Sequence, residues 1–197
     1  MHNARIALAV VAAAFVGATA LHAKEHGELE HWNVTGPDGA KELRAHGYEG
    51  GLDHTQSHSG HGSAYLRAIS EHPDYKHAVI WQSISSERYR GKRVKLSAWM
   101  KTDRAQVARV GIKVSSPGDN SLAYGQQDTT GTTDWRRYEV VLDVAPRSNS
   151  ITFGLLLEGS GAAWMDEVRL EVVDERTPIT NLPPPSPIEP ENLDFEQ

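Results

Sequence analysis

Ala163-Trp164-Met165-Asp166-Glu167-Val168-Arg169-Leu170-Glu171-Val172-Val173 alternates its side chains with a period of two, the spacing of a β-strand. Taken as one uninterrupted strand, it puts Trp164, Asp166, Val168, Leu170 and Val172 on one face and sets Asp166 and Glu167 on opposite faces. An ionised carboxylate turned toward a core is costly. Asp166 therefore requires a cation or several hydrogen bonds supplied from elsewhere in the fold.

Outward from this segment the chain reads as nearly all β. Apolar alternation or short apolar runs recur at 63–69, 78–84, 93–101, 107–114, 137–144 and 150–158. Turn-forming residues separate them at 89–91, 116–120, 130–132, 145–149 and 159–161. Many short strands without a long 3.6-residue period predict two packed antiparallel sheets.

Four segments in order carry a resemblance. They are Ser57-His58-Ser59-Gly60-His61-Gly62-Ser63-Ala64-Tyr65-Leu66, Tyr89 to Thr102 (YRGKRVKLSAWMKT), Thr132 to Val140 (TTDWRRYEV), and the closing segment quoted first. Over roughly residues 30–174 they resemble the galactose-binding-like β-sandwich family, similar to carbohydrate-binding modules of secreted bacterial proteins. The resemblance implies a jelly-roll sandwich and a glycan or related polar ligand on its concave face. Relatives of this layout often carry a transcriptional-regulator label.

Composition bears on that label. The chain has 20 Lys+Arg against 26 Asp+Glu and a net charge of −6. Phosphate backbones are repelled by such a balance, which argues against nucleic acid as a partner. The one basic cluster, Arg88, Arg90, Lys92, Arg93 and Lys95, reads as a solvated edge. With 197 residues and no Cys, one domain can bury a sizeable core without disulfides. Residues 1–23 read as a secretory signal: Arg5, an apolar run from Ile6 to Val16, then small residues up to Ala20 or Ala23. The expected organisation is a signal peptide at 1–23, a sandwich at 24–174, a proline-rich linker at 175–191 and a docking strand at 192–197, in a periplasmic or secreted bacterial protein that has no membrane attachment after cleavage.

The tail holds a further signal. Pro178, Pro183, Pro184, Pro185, Pro187 and Pro190 cannot continue a sheet, yet Asn192-Leu193-Asp194-Phe195-Glu196 alternates again. It resembles the opening strand of the family, which the N-terminal part lacks. A circular permutation would let the tail complete the sandwich with Leu193 and Phe195 toward the core; the alternative is the start of a second module. In the resembled modules a structural Ca²⁺ takes an acid from the opening strand and an Asp from the closing one. The resemblance thus implies Glu196 and Asp166 as metal ligands, with carbonyls from 57–62. His54, His58 and His61 lie close together but in a turn-rich segment, which reads as a solvated loop and not as a transition-metal site.

Expected ligand contacts are Trp99, Gln82, Lys113, Tyr124 and Gln127. Trp99 falls on the polar side of its strand, where a loop or the proline-rich tail could also cover it. Trp32, Trp81, Trp135 and Trp164 read as core or edge anchors. No G-x-S-x-G, H-E-x-x-H, phosphate loop or Cys nucleophile is present, so a noncatalytic binding module is expected. A protein-interaction or regulatory sandwich, and a small hydrolase using Glu158 with another acid, are the alternatives.

Overall fold

The computed structural model describes residues 26–27 and 29–180; the signal peptide expected at 1–23 and the strand expected at 192–196, with Glu196, lie outside the described residues. The described residues form nine strands: β1 (His26–Gly27), β2 (Asn33–Thr35), β3 (Tyr48–Asp53), β4 (Ser63–Ala68), β5 (His77–Ser85), β6 (Arg93–Ser116), β7 (Asp119–Asp143), β8 (Ser150–Glu158) and β9 (Ala162–Val173). All pairings are antiparallel.

Two strands are far longer than expected, because β6 and β7 each run through both layers. The first half of β6 pairs with β9 over 93–103, and its second half pairs with β8 over 107–115. One layer is therefore β1-β3-β4-β9-β6-β7 and the other β2-β5-β8-β6-β7. The fold-over lies where the β6–β7 ladder shifts register between Met100 and Ala108. Arg104 and Gly131 adopt left-handed φ of 48° and 75° there. Thr102 Oγ1 donates to the Gly131 carbonyl (2.9 Å), and the Arg104 N–H donates to Thr132 Oγ1 (2.9 Å), so side-chain hydroxyls from both strands pin the bend. The turn expected at 130–132 is this bulge inside a continuous strand.

The inner faces of the two layers share one core. Val94, Leu96, Ala98 and Met100 from one half of β6 meet Val110, Ile112 and Val114 from the other, joined by Ile80, Ile151, Leu155 and Leu157, all almost fully buried. Each large side chain so buried contributes about 1.5–3 kcal/mol relative to exposure.

The closing strand departs from a single alternation. Ala163 and Met165 lie in the core, as do the partly buried Val168 and Leu170, so the inward parity switches between 165 and 168. The cause is a bulge: the β6–β9 register shifts between Ser97 and Trp99, and Glu167 takes a φ of 49°. Trp164 and Asp166 consequently face outward while Val168 and Leu170 face in. The expectation that these four and Val172 share a face is corrected.

Candidate functional site

Asp166 resolves its own electrostatic problem. Oδ2 accepts the backbone N–H groups of His58 (2.9 Å) and Ser59 (3.0 Å), and Oδ1 accepts the N–H of Glu167 (2.7 Å). The loop between β3 and β4 thus offers donors, not carbonyls, to this carboxylate. Among the described residues no three His, Cys, Asp or Glu side chains are grouped to hold a metal. Glu196, the second carboxylate expected to hold Ca²⁺ with Asp166, lies outside the described residues.

The same loop covers Trp99. The His58 ring stacks on the indole at 3.7 Å between centroids and 13° between planes, and His58 Nδ1 lies 2.9 Å from Glu167 Oε2. Lys101 Nζ donates to Gln56 Oε1 (3.1 Å). His54 Nδ1 is spent on the His61 carbonyl (2.8 Å), so the three histidines do not converge. Beside this lie Tyr65, Trp164, Ala162 and Trp135, a small apolar cluster on the outer face of the β9 layer. The Trp164 indole N–H donates to the buried Asp53 (2.8 Å). Trp99, with a face already occupied, serves as a seat for the loop.

The other layer presents a different outer face. Strand register lines up three rows across it. Val79, Leu156, Arg109 and Asp128 form one; Trp81, Gly154, Gly111 and Gln126 the next; Ser83, Thr152, Lys113 and Tyr124 the third. The two glycines in the middle row leave a trough of about 130 Å³, with Trp81 and Tyr124 among its walls. A side chain at Gly154 would run into the Ile80 carbonyl, so the glycine allows β5 and β8 to pair closely as well as lowering the floor. Trp32 sits beneath this layer, edge-on to Phe153 at 5.7 Å.

Polar groups along the trough are pre-set. Trp81 Nε1 donates to Thr35 Oγ1 (3.1 Å), which fixes the ring against β2. Arg109 makes a two-pronged pair with Asp128 (2.8 and 2.9 Å), and this hydrogen bond holds the guanidinium pKa above its ordinary value. The Tyr124 hydroxyl donates to Gln126 Oε1 (2.6 Å), and Gln126 Nε2 donates to Asp128 (3.2 Å). Desolvation raises the Tyr124 pKa, so the phenol stays a donor.

The structure therefore brings together Lys113 and Tyr124 of the five expected contacts. Gln82, opposite Phe153 in the β5–β8 ladder, is on the inner parity at the rim and donates to the His31 carbonyl (3.2 Å). Gln127 pairs with the buried Val110 and shares its face. Trp99 belongs to the other layer. Trp81, read from sequence as core, is instead a wall of the trough; Gly111, Gly154, Arg109 and Asp128 were not singled out. The signal for them is the register of four strands, which no single segment displays.

No protein-family model matches the chain. It is 39% identical over 156 residues to an uncharacterised HTH-type transcriptional regulator, YbfP of Bacillus subtilis (strain 168), covering 76% of this chain and 53% of that protein. The chain thus spans about half the length of this curated relative. Among solved structures it resembles the CBM22-1 xylan-binding domain of Paenibacillus barcinonensis Xyn10C, with a TM-score of 0.53, 13% identity, and coverage of 76% of this chain and 90% of that one. It also resembles TmCBM61, solved with β-1,4-galactotriose, with a TM-score of 0.51, 14% identity and coverage of 75% and 92%. A third is the enzymatically active domain of tailspike protein 4 from bacteriophage CBA120, with a TM-score of 0.53, 14% identity and coverage of 73% and 20%. At such identities these likenesses establish the fold: a jelly-roll β-sandwich of the kind used by carbohydrate-binding modules.

Proposed function

We propose that the chain is a noncatalytic glycan-binding module whose ligand lies in the trough between Trp81 and Tyr124. The observation that carries this reading is two aromatic side chains walling a glycine-floored groove, with a fixed Arg109–Asp128 pair and Lys113 in the adjoining rows. Sugar rings present C–H faces that pack on aromatics, and their hydroxyls take paired donors and acceptors of this kind. Arg109 with Asp128 offers both roles to vicinal hydroxyls, and Lys113 adds a cation suited to an oxygen-rich or acidic sugar.

The folds it resembles include modules named for xylan and galactotriose, which supports a polysaccharide as the ligand class. Export through residues 1–23 fits a module that meets polysaccharide outside the cytoplasm. A ligand-reading sandwich is equally compatible with the regulator-named relative, where such a domain would report a small molecule.

A glycan array probed with the chain, beside Trp81→Ala and Tyr124→Ala, tests the reading. Reproducible binding lost in Trp81→Ala and retained in Gln82→Ala supports it. A blank array with folded protein, or binding indifferent to Trp81, sinks it and leaves a protein ligand for the trough.

A further inference from the structure

The two flanks of the trough differ in chemistry. Along one run Val79 and Leu156, then Arg109 and Asp128, whose charges cancel in their two-pronged pair. Glu158, one row farther out on this flank, sets a second acid near the Arg109 guanidinium. Along the other stand Ser83, Thr152, Lys113 and Tyr124, and behind them Ser85, Ser150 and Ser115 form a row of serines on three neighbouring strands.

Donors on this second flank are left unspent. Thr152 Oγ1 donates to Ser83 Oγ (3.0 Å) and the Glu87 N–H donates to Ser85 Oγ (3.3 Å), so both serines keep an O–H to give. Lys113 is partly buried and makes no ion pair among the described residues, whereas Arg109, on the same strand and face, is neutralised. The described side chains that line the trough include these two cations and no carboxylate. In a chain of net charge −6, that is a local reversal of sign. Lys113 and Ser83 stand on either side of Thr152, on strands two spacings or about 10 Å apart, a gap that a lysine side chain and a bound oxyanion together bridge.

We infer that the trough takes a glycan bearing an oxyanion, a uronate carboxylate or a sulfate ester, and seats that group above Thr152 between Lys113 and Ser83. This rests on the trough being the glycan site, and adds the charge of the ligand and its orientation: the uncharged edge of the ring lies toward Val79 and Leu156. A single unneutralised cation in an acidic protein fits one acid group among neutral sugars. A dense polyanion is repelled by the surrounding charge.

The test is calorimetric titration of the whole chain with neutral-backbone oligosaccharides carrying one uronate, each beside its methyl ester. Singly sulfated oligosaccharides beside their unsulfated parents form a second arm, and the arm that responds identifies the acid group. The charged member of a pair binds about tenfold or more tightly than its uncharged counterpart. This preference disappears in Lys113→Met, persists in Lys113→Arg and shrinks as salt is raised. It is untouched in Lys101→Met, which removes a cation from the outer face of the other layer. Equal binding of charged and uncharged members, or a preference that survives Lys113→Met, overturns the inference; if that binding still requires Trp81, the trough stands as the glycan site. Binding of neither member of any pair also overturns the inference, and a blank glycan array besides overturns the trough as the glycan site.

Discussion

Gly111 and Gly154 sit side by side on the trough floor, yet an added side chain meets different surroundings at the two positions. At Gly111 the nearest atom to a new Cβ is the Tyr124 hydroxyl at 3.5 Å, ordinary contact, so Gly111→Leu should fold and fill the groove. We expect its melting temperature to stay near that of the parent while glycan binding disappears, read by calorimetry and by the array. At Gly154 the obstacle is the Ile80 backbone, so Gly154→Ala should cost about 1–3 kcal/mol in urea unfolding, as overpacking does. Asp166→Ala strips an acceptor from three backbone N–H groups and should cost about 1.5–3 kcal/mol by the same measurement. Lys113 and Tyr124 were legible as outward-facing residues because polar and aromatic groups alternate with buried ones on their strands. Trp81 was not, since Ala78-Val79-Ile80-Trp81 is a continuous apolar run in which parity does not say which side is in. Gln82 and Gln127 lie off the trough because a polar side chain can keep the inward parity of its strand and still reach a partner or solvent.

Among the elements, β9 shows how one extra residue alters the meaning of a strand. The bulge at Glu167 lets Trp164 and Asp166 face the β3–β4 loop while Val168 and Leu170 reach the core. Deleting Glu167 would turn every later side chain to the wrong face, and we expect a chain without it to lose cooperative thermal unfolding. Period-two alternation was readable there; the bulge was not, because a left-handed Glu has no sequence signature. At the opposite end of this layer Arg93 ties β6 to Asp143 of β7 (2.7 Å) and to the outgoing chain. The Arg93 hydrogen bond lowers the Asp143 pKa, with burial opposing. A folded pKa below the unfolded one gives stability that is present above the unfolded value of about 3.9 and lost as pH falls through the folded value. Asp143→Asn should therefore flatten the decline of melting temperature below about pH 4, checked by thermal scans across acid pH.

For the whole molecule, the two-layer antiparallel architecture was legible from many short apolar runs and their turns, but its framework of two strands crossing both layers was not. The sequence divides β6 at 102–106 with polar residues, Thr102-Asp103-Arg104-Ala105-Gln106, which read locally as a loop. In three dimensions that segment is the bend, and its hydrogen bonds to Thr132 and Gly131 come from a strand some thirty positions away. The basic cluster likewise becomes internal fastening, since Lys95 lies between Glu139 and Glu171 and Arg90 donates to the Ser148 carbonyl (2.7 Å).

The placement of the two described ends has a practical side. The first described strand, β1, and the last described contact, Thr180 on β7, both belong to the layer that carries β9, whereas the trough opens on the other layer. A passenger spliced to either end would ride behind the sandwich and leave the groove unobstructed. Fluorescent-protein fusions joined directly before residue 26 and directly after residue 180 should accordingly leave the proposed glycan binding at the same apparent affinity.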